Sequence, residues 1–574
     1  MKFDIEVNNK VITARRGETI LSALNRGGIN VPTLCSLKGL SPTGACRVCV
    51  VEVEGFQNLV TSCSYPVEEG MKIHTHSPRV VKARKTLVEL LLSNHPDDCL
   101  YCERNGNCEL QDLSVELNIR ERRISGKKIR HKLDLSSPSV VRDPAKCILC
   151  GRCIRTCDEV QSVSTLEFIN RGASMLVSTT MNRELNFSSC IACGQCVMVC
   201  PTGALHEHSN LDEIQDALNN TEQKVVIQYG PAVSVSLAEE FGLKPGKDIN
   251  GLLVAALKKI GFEFVFDTNF AADIAVMENA TELNQRMNTG ENLPMISSCC
   301  PSWVKFAEQF YPEILPLLSK TKSPQQIMGS LIKNFLTKEK GLNSSEVFSV
   351  SVMPCLAKKF EAQRAEMTTR GISDVDLVLS TRELARLIRL YGIDIQALEP
   401  QQADPLFSIK SSAGKLFATA GGAAEAIIRT FHYLRTGKDM SSPKINDFRS
   451  FSGIKETSVK IGKEKVNVTL ASGLKDIRSL LKKIVEGKCD SQLIEVMACP
   501  GGCINGGGQP FKAKEKDIKA RAKAIYDIDE TDSIKVSHKN PMLNDFYKKY
   551  LENPGSEKAK KLFNVKYSQK DVLL

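Results

Sequence analysis

Two cysteine runs set the strongest limit on what this chain can fold into. Cys147, Cys150, Cys153 and Cys157 follow the spacing C-x2-C-x2-C-x3-C, and Cys190, Cys193, Cys196 and Cys200 repeat it with Pro201 behind. In paired runs of this kind the first three thiolates hold one 4Fe–4S cluster, and the fourth reaches across to the other. Cys147, Cys150, Cys153 and Cys200 are therefore expected on one cluster, and Cys190, Cys193, Cys196 and Cys157 on the second. Asp158 stands where the first run would carry a proline, which removes no ligand.

The rest of the cysteine usage points the same way. The chain has 574 residues and 21 cysteines, fifteen of them between Cys35 and Cys200. The N-terminus shows neither an apolar signal core nor twin arginines, and runs such as Leu252–Leu257 are far shorter than a membrane span. A cytoplasmic protein with no membrane segment is expected, where clustered cysteines read as metal ligands and not disulfides. A net charge of +10 without interleaved aromatics gives little support for nucleic acid and suits an acidic protein partner.

Four segments follow. Residues 1–79 alternate like short strands (Phe3–Val7, Val48–Val53) and carry Cys35, Cys46, Cys49 and Cys63, spaced C-x10-C-x2-C-x13-C. That set suits a 2Fe–2S cluster on a plant-ferredoxin-like scaffold, with structural zinc as the alternative. Residues 80–138 open with a helical pattern from Val81 to Leu92 and then present His95, Cys99, Cys102 and Cys108. The spacing of this one histidine and three cysteines fits zinc or a 4Fe–4S cluster equally. The company of other iron–sulfur runs favours the cluster. Arg120–Lys132 brings seven basic side chains, a solvated face or a docking patch. Residues 139–209 form the two-cluster, bacterial-ferredoxin-like module. Residues 210–574 alternate helical stretches (Gly251–Ile260, Thr381–Tyr391) with β-like runs (Lys224–Gln228, Glu263–Phe266, Val347–Val352), the pattern of α/β layers. The Lys-rich end from about Lys512 reads as a helical surface extension.

Three short segments stand out in the last part: Ser298-Cys299-Cys300-Pro301-Ser302-Trp303, Met353-Pro354-Cys355-Leu356-Ala357-Lys358, and Glu495-Val496-Met497-Ala498-Cys499-Pro500-Gly501-Gly502-Cys503 followed by Gly506-Gly507-Gly508. Four thiolates from three turns can surround one cubane; read alone, they are buried structural cysteines beside a flexible loop. Together, and behind the upstream cluster modules, they resemble the signature motifs of the FeFe hydrogenases of the clostridial, ferredoxin-linked type. The resemblance spans nearly the whole chain and implies a multidomain α+β and α/β protein in which ferredoxin-like modules precede a large two-lobed α/β domain. It implies one 2Fe–2S cluster, three accessory 4Fe–4S clusters, and an H-cluster of a cubane joined to a diiron unit with CO, CN and azadithiolate ligands. Cys300, Cys355, Cys499 and Cys503 would hold the cubane, with Cys503 bridging. Cys299 would shuttle protons and Lys358 would face a cyanide. Pro231, Ser323, Pro324, Gln325, Met353 and Met497 match pocket positions, while Cys489 matches no motif. Implied partners are ferredoxin or a similar acidic carrier and the maturation proteins that build the diiron unit; a monomer is expected.

The family's proton relay maps onto Ser319, Glu282 and Arg286, but the position of its first glutamate is Asn279. An amide cannot release and recapture a proton, and Glu278 on a helix would point about 100° aside. Gly230 and Ala232 flank Pro231 where the clostridial type has alanine and serine, and Ala357 replaces a small hydroxyl residue. Three functions follow from the resemblance: reversible hydrogen evolution with ferredoxin, a low-turnover hydrogen sensor, or the hydrogenase subunit of an NAD(P)-linked complex. No kinase-like or PAS-like output segment is evident to serve the sensor.

Overall fold

The structure, a computed structural model, describes residues 2–128 and 131–571. Residues 129 and 130 of the basic run thus lie outside the described residues.

The first module is a five-stranded sheet in the order Lys10–Arg15, Lys2–Val7, Lys72–His74, Val50–Val53, Val60–Thr61. Ile5, Val7, Val51 and Val53 supply its apolar face, against which the helix Ile20–Arg26 lays Ile20, Ala23 and Leu24. The next helix runs Pro78–Asn94, longer at both ends than the apolar periodicity alone marks out, because Ser77 caps it and a proline opens it. Arg84 on this helix is buried and donates to the carbonyls of Val48 (3.1 Å) and Val50 (2.8 Å), fastening the helix to the cysteine loop of the first module. In the segment of the paired cysteine runs, strand Val140–Arg142 pairs antiparallel with Leu205–Glu207 and closes the segment onto itself, while the hairpin Leu166–Ile169/Leu176–Thr179 separates the two runs.

Two four-stranded sheets form the lobes of the large domain. In one, Phe264–Asp267, Lys224–Tyr229, Val347–Met353 and Leu377–Ser380 are all parallel. In the other, Met295–Ile296, Leu493–Met497 and Glu464–Ser472 are parallel, and Gly453–Ile461 adds an antiparallel edge. The strands Lys224–Tyr229, Phe264–Asp267 and Val347–Met353 and the helices Asn250–Ile260 and Thr381–Leu390 fall within a residue or so of their sequence patterns. Continuous apolar runs identify them, because parallel strands are covered on both faces.

The C-terminal part does not behave as a surface extension. Its helices Glu515–Thr531, Pro541–Phe546 and Glu557–Phe563 place Ile525, Leu543, Phe546 and Phe563 in the core, and the turn Tyr547–Leu551 adds Tyr547. Asp529 closes a buried ion network with Arg429 (2.8 Å) and Arg449 (2.5 Å). The lysines lie on the outward face, and they dominate the composition without governing the packing.

Candidate functional site

Every cysteine of the three large-domain segments follows the carboxyl end of a parallel strand, where open α/β sheets leave a crevice. Cys299 and Cys300 come after Met295–Ile296, Cys355 after Val347–Met353, and Cys499 and Cys503 after Leu493–Met497. The two lobes thus bring all five to one cavity. Cys300 caps the helix Pro301–Phe310, and Trp303 holds that turn through Nε1 to the Ser297 carbonyl at 3.1 Å. Gly502 (φ +95°) lets the last loop pass the Thr419–Ala420 backbone, since a Cβ there would come within 2.5 Å of the Ala420 nitrogen.

Pro231, Pro324, Gln325, Met353, Met497 and Lys358 also line the cavity, together with Ala232, Thr268, Ala272 and Phe417. Thr268 and Ala272 have no motif signal, because ordinary core positions supply them, whereas Phe417 opens the segment Phe417–Gly422, which departs from the family's usual Phe-Gly-Ala-Thr-Gly-Gly. Ser323 is not on the lining; its hydroxyl donates to Glu361 at 2.9 Å. The same Glu361 oxygen accepts from Lys358 Nζ (2.8 Å) and Gln325 Nε2 (3.2 Å). Burial works against the Lys358 charge, yet Glu361 holds its pKa above the ordinary lysine value. Lys358 Nζ also donates to the Cys299 carbonyl at 3.3 Å. A fixed cation thus faces an otherwise apolar space beside five thiols. Burial pushes those thiols up, Cys355 to about 12 and Cys299 and Cys499 well above their ordinary value. Such thiols stay protonated until a metal displaces the proton. A cluster with an anionic ligand directed at Lys358 fits this donor set.

The upstream cysteines also assemble. Cys147, Cys150, Cys153 and Cys200 line one cavity, and Cys157, Cys190, Cys193 and Cys196 line another. In the first module Cys35 interacts with Cys46 and Cys63, and Cys49 with Cys63, all four buried. His95, Cys99 and Cys108 share a further cavity, where the buried His95 Nδ1 has no hydrogen-bond partner. Cys102 is not part of that lining: its sulfur lies against Gly203 of the next module. Gln195, inside the second cysteine run, donates to Cys499 Sγ at 3.2 Å and to the Asn505 carbonyl at 3.0 Å, joining that run to the large cavity. Sequence spacing carries no trace of that contact.

Of the relay residues, Ser319 Oγ donates to Glu282 Oε2 at 3.0 Å, and Arg286 Nη2 to Glu282 Oε1 at 2.7 Å. Asn279 Nδ2 is turned onto its own helix, donating to the Ala275 carbonyl at 2.7 Å. Glu278 faces the C-terminal segment, accepting from Tyr547 OH (2.7 Å) and Gly555 N (3.0 Å), and burial pushes it up to about 7.

Known proteins share this arrangement. Residues 223–507 match the iron only hydrogenase large subunit, C-terminal domain, and residues 514–570 the iron hydrogenase small subunit. Upstream, residues 1–78 match a 2Fe-2S iron-sulfur cluster binding domain. Residues 84–123 match the NADH-ubiquinone oxidoreductase-G iron-sulfur binding region, and 137–206 the ferredoxin-like domain of NADH-quinone oxidoreductase subunit 3. The chain is 41% identical to the NADP-reducing hydrogenase subunit HndD of Solidesulfovibrio fructosivorans over 99% of both proteins. It is 37% identical to iron hydrogenase 1 of Clostridium pasteurianum over 98% of this chain and 100% of that protein. Apo [FeFe]-hydrogenase HydA1 from Chlamydomonas reinhardtii superposes with a TM-score of 0.58 at 31% identity, covering 63% of this chain and all of that one. Among the described residues no helix is long and apolar enough to cross a membrane. With large- and small-subunit segments both matched and two relatives aligned end to end, this chain belongs to the iron-only, or FeFe, hydrogenase family.

Proposed function

We propose that the chain interconverts protons and H2 at an H-cluster held by Cys300, Cys355, Cys499 and Cys503. One 2Fe–2S cluster in residues 1–79, one 4Fe–4S cluster in 80–138 and two in 139–209 would carry its electrons. The observation that carries this reading is the convergence of five cysteines from two lobes on one apolar cavity with Lys358 as its buried cation. When bound, the H-cluster supplies the metal centre at which electrons and protons combine. A two-proton, two-electron couple shifts ~59 mV per pH unit and lies near roughly −410 mV at pH 7. Plant-type ferredoxins lie at about −400 mV, so low-potential clusters suit traffic in either direction.

The protein's own groups exclude water and move protons. Met353, Met497, Phe417 and the prolines keep the cavity apolar. The Cys299 thiol is the proton carrier at the cavity wall, and Ser319, Glu282 and Arg286 are its outer relay. Between them Asn279 leaves a stretch without an ionisable side chain.

For the electron partner, the 41% relative that is an NADP-reducing hydrogenase subunit favours an NAD(P)-linked assembly, with a flavin-containing partner carrying the nucleotide. Ferredoxin is the second reading, supported by the resemblance to the clostridial type. Hydrogen turnover in both directions with a viologen dye tests the activity, with protein lacking the diiron unit as control. Hydrogen-dependent reduction of NADP+ by a copurified flavin subunit supports the first partner; reduction of ferredoxin by the isolated chain supports the second. Negligible turnover despite infrared bands of bound CO and CN would refute the enzyme reading.

A further inference from the structure

The cavity lined by His95, Cys99 and Cys108 and the cavity lined by Cys147, Cys150, Cys153 and Cys200 meet at a tight junction. The Cys108 thiol lies 3.6 Å from the Pro201 carbonyl, to which Glu109 N also donates at 3.0 Å, so one carbonyl links Cys108 to the residue after Cys200. Gly203 completes the contact: a Cβ there would come within 2.5 Å of Cys102 Sγ and 3.8 Å of Arg104 Cγ.

Arg104 lies buried at this junction, 2% exposed, and its Nε and Nη1 have no hydrogen-bond partner. The guanidinium carbon sits 3.7 Å from the centre of the Phe511 ring, and Arg382 stacks at 4.1 Å from the same ring. Arg382 is compensated by Glu207 at 2.9 Å, and the nearby Glu109 is engaged by Arg152 at 2.7 Å. Cys200 and Cys108, the expected ligands on the two sides, and the carboxylate of Glu109 are the groups whose negative charge, when ionised, would act on Arg104. A buried cation without a counter-ion is unfavourable. Two clusters with anionic thiolate ligands provide the missing negative charge, and each gains one more when reduced. A fixed cation between them therefore favours the reduced form of both, since charge and burial set cluster potentials.

We propose that Arg104 is a positioning residue for electron transfer. Its buried charge raises the potentials of the clusters on both sides of the Cys108–Pro201–Cys200 junction together, so that the step between them keeps a small driving force. The inference rests on the iron–sulfur reading of these cysteines and assigns Arg104 a role that the ligand pattern does not.

The test is a potentiometric EPR titration of the intact protein reconstituted with iron and sulfide, comparing native, Arg104→Met and Arg104→Lys. Arg104→Met is expected to weaken electron binding about tenfold at both clusters, a fall of ~59 mV for a one-electron couple. Arg104→Lys keeps the charge and should hold both potentials near native. Unmoved potentials in Arg104→Met, with both signals at native intensity, would overturn the proposal. So would a lysine variant that falls as far as the methionine one, because a packing role would not distinguish them by charge. If Arg104→Met loses its clusters, Arg104→Gln is judged by the same criterion. Absence of the two signals from native protein would instead overturn the cluster reading itself.

Discussion

Replacing Asn279 by glutamate should restore the interrupted proton route, and the helix Asn269–Thr289 shows why. Asn279, Glu282 and Arg286 lie at i, i+3 and i+7, on one face, whereas Glu278 is turned toward Tyr547 and Gly555. A carboxyl at 279 would have its Cβ about 5–6 Å from that of Glu282, and a like-charge neighbour costs only ~0.2–0.5 kcal/mol. Asn279 is 9% exposed, close to the 4% of Glu278, whose pKa burial pushes up to about 7. Burial would likewise raise the new carboxyl above its ordinary value, toward the range where a group both accepts and releases protons well. A positioned acid–base group contributes roughly 10²–10⁴-fold. With Ser319, Glu282 and Arg286 already in place, we expect the lower end, about 10²-fold in hydrogen evolution. The assay is dye-driven hydrogen evolution in H2O and D2O at equal diiron occupancy, judged from the infrared bands. The solvent isotope effect should fall as turnover rises, and Asn279→Gln should give no gain. Unchanged turnover with an unchanged isotope effect would refute the reasoning.

Three further outcomes are expected. Cys299→Ser should remove most turnover while leaving the infrared bands of the loaded cluster; retained activity would take Cys299 out of the relay. Gln195→Met removes the amide that donates to Cys499 Sγ at 3.2 Å, and should lower the potential of the cubane by ~59 mV, a tenfold loss of electron affinity; an unmoved cubane signal would refute it. Glu278 binds its proton more tightly folded (about 7) than its ordinary value of 4.5, so its contribution to stability is full below pH 4.5 and is lost as pH rises to 7. Glu278→Gln, neutral throughout, should flatten that part of the thermal stability–pH curve, and an unaltered slope would count against the assignment.

Much of this protein was legible in one dimension because metal ligation is a local demand. A C-x2-C-x2-C-x3-C run wraps a cluster with its own loop, so spacing alone named the eight cysteines that line two cavities. Parallel strands covered on both faces leave continuous apolar runs, and three of these (Lys224–Gln228, Glu263–Phe266, Val347–Val352) marked strands of one lobe within a residue or so. Composition misled at the C-terminus, where surface lysines concealed the buried Ile525, Phe546 and Phe563.

What tertiary structure alone decided are the contacts between segments far apart in the chain. Cys102 Sγ lies against Gly203 of the next segment, Gln195 reaches Cys499 from another part of the chain, and Arg104 is left between two cysteine sites with Phe511 over its face. The direction of Glu278 depended on a C-terminal segment more than 260 residues away, since |i−j| is 269 to Tyr547. Spacing encodes what one loop can hold. The charge and hydrogen bonds around that loop are supplied by whatever the fold packs against it, and no local pattern records which residues those are.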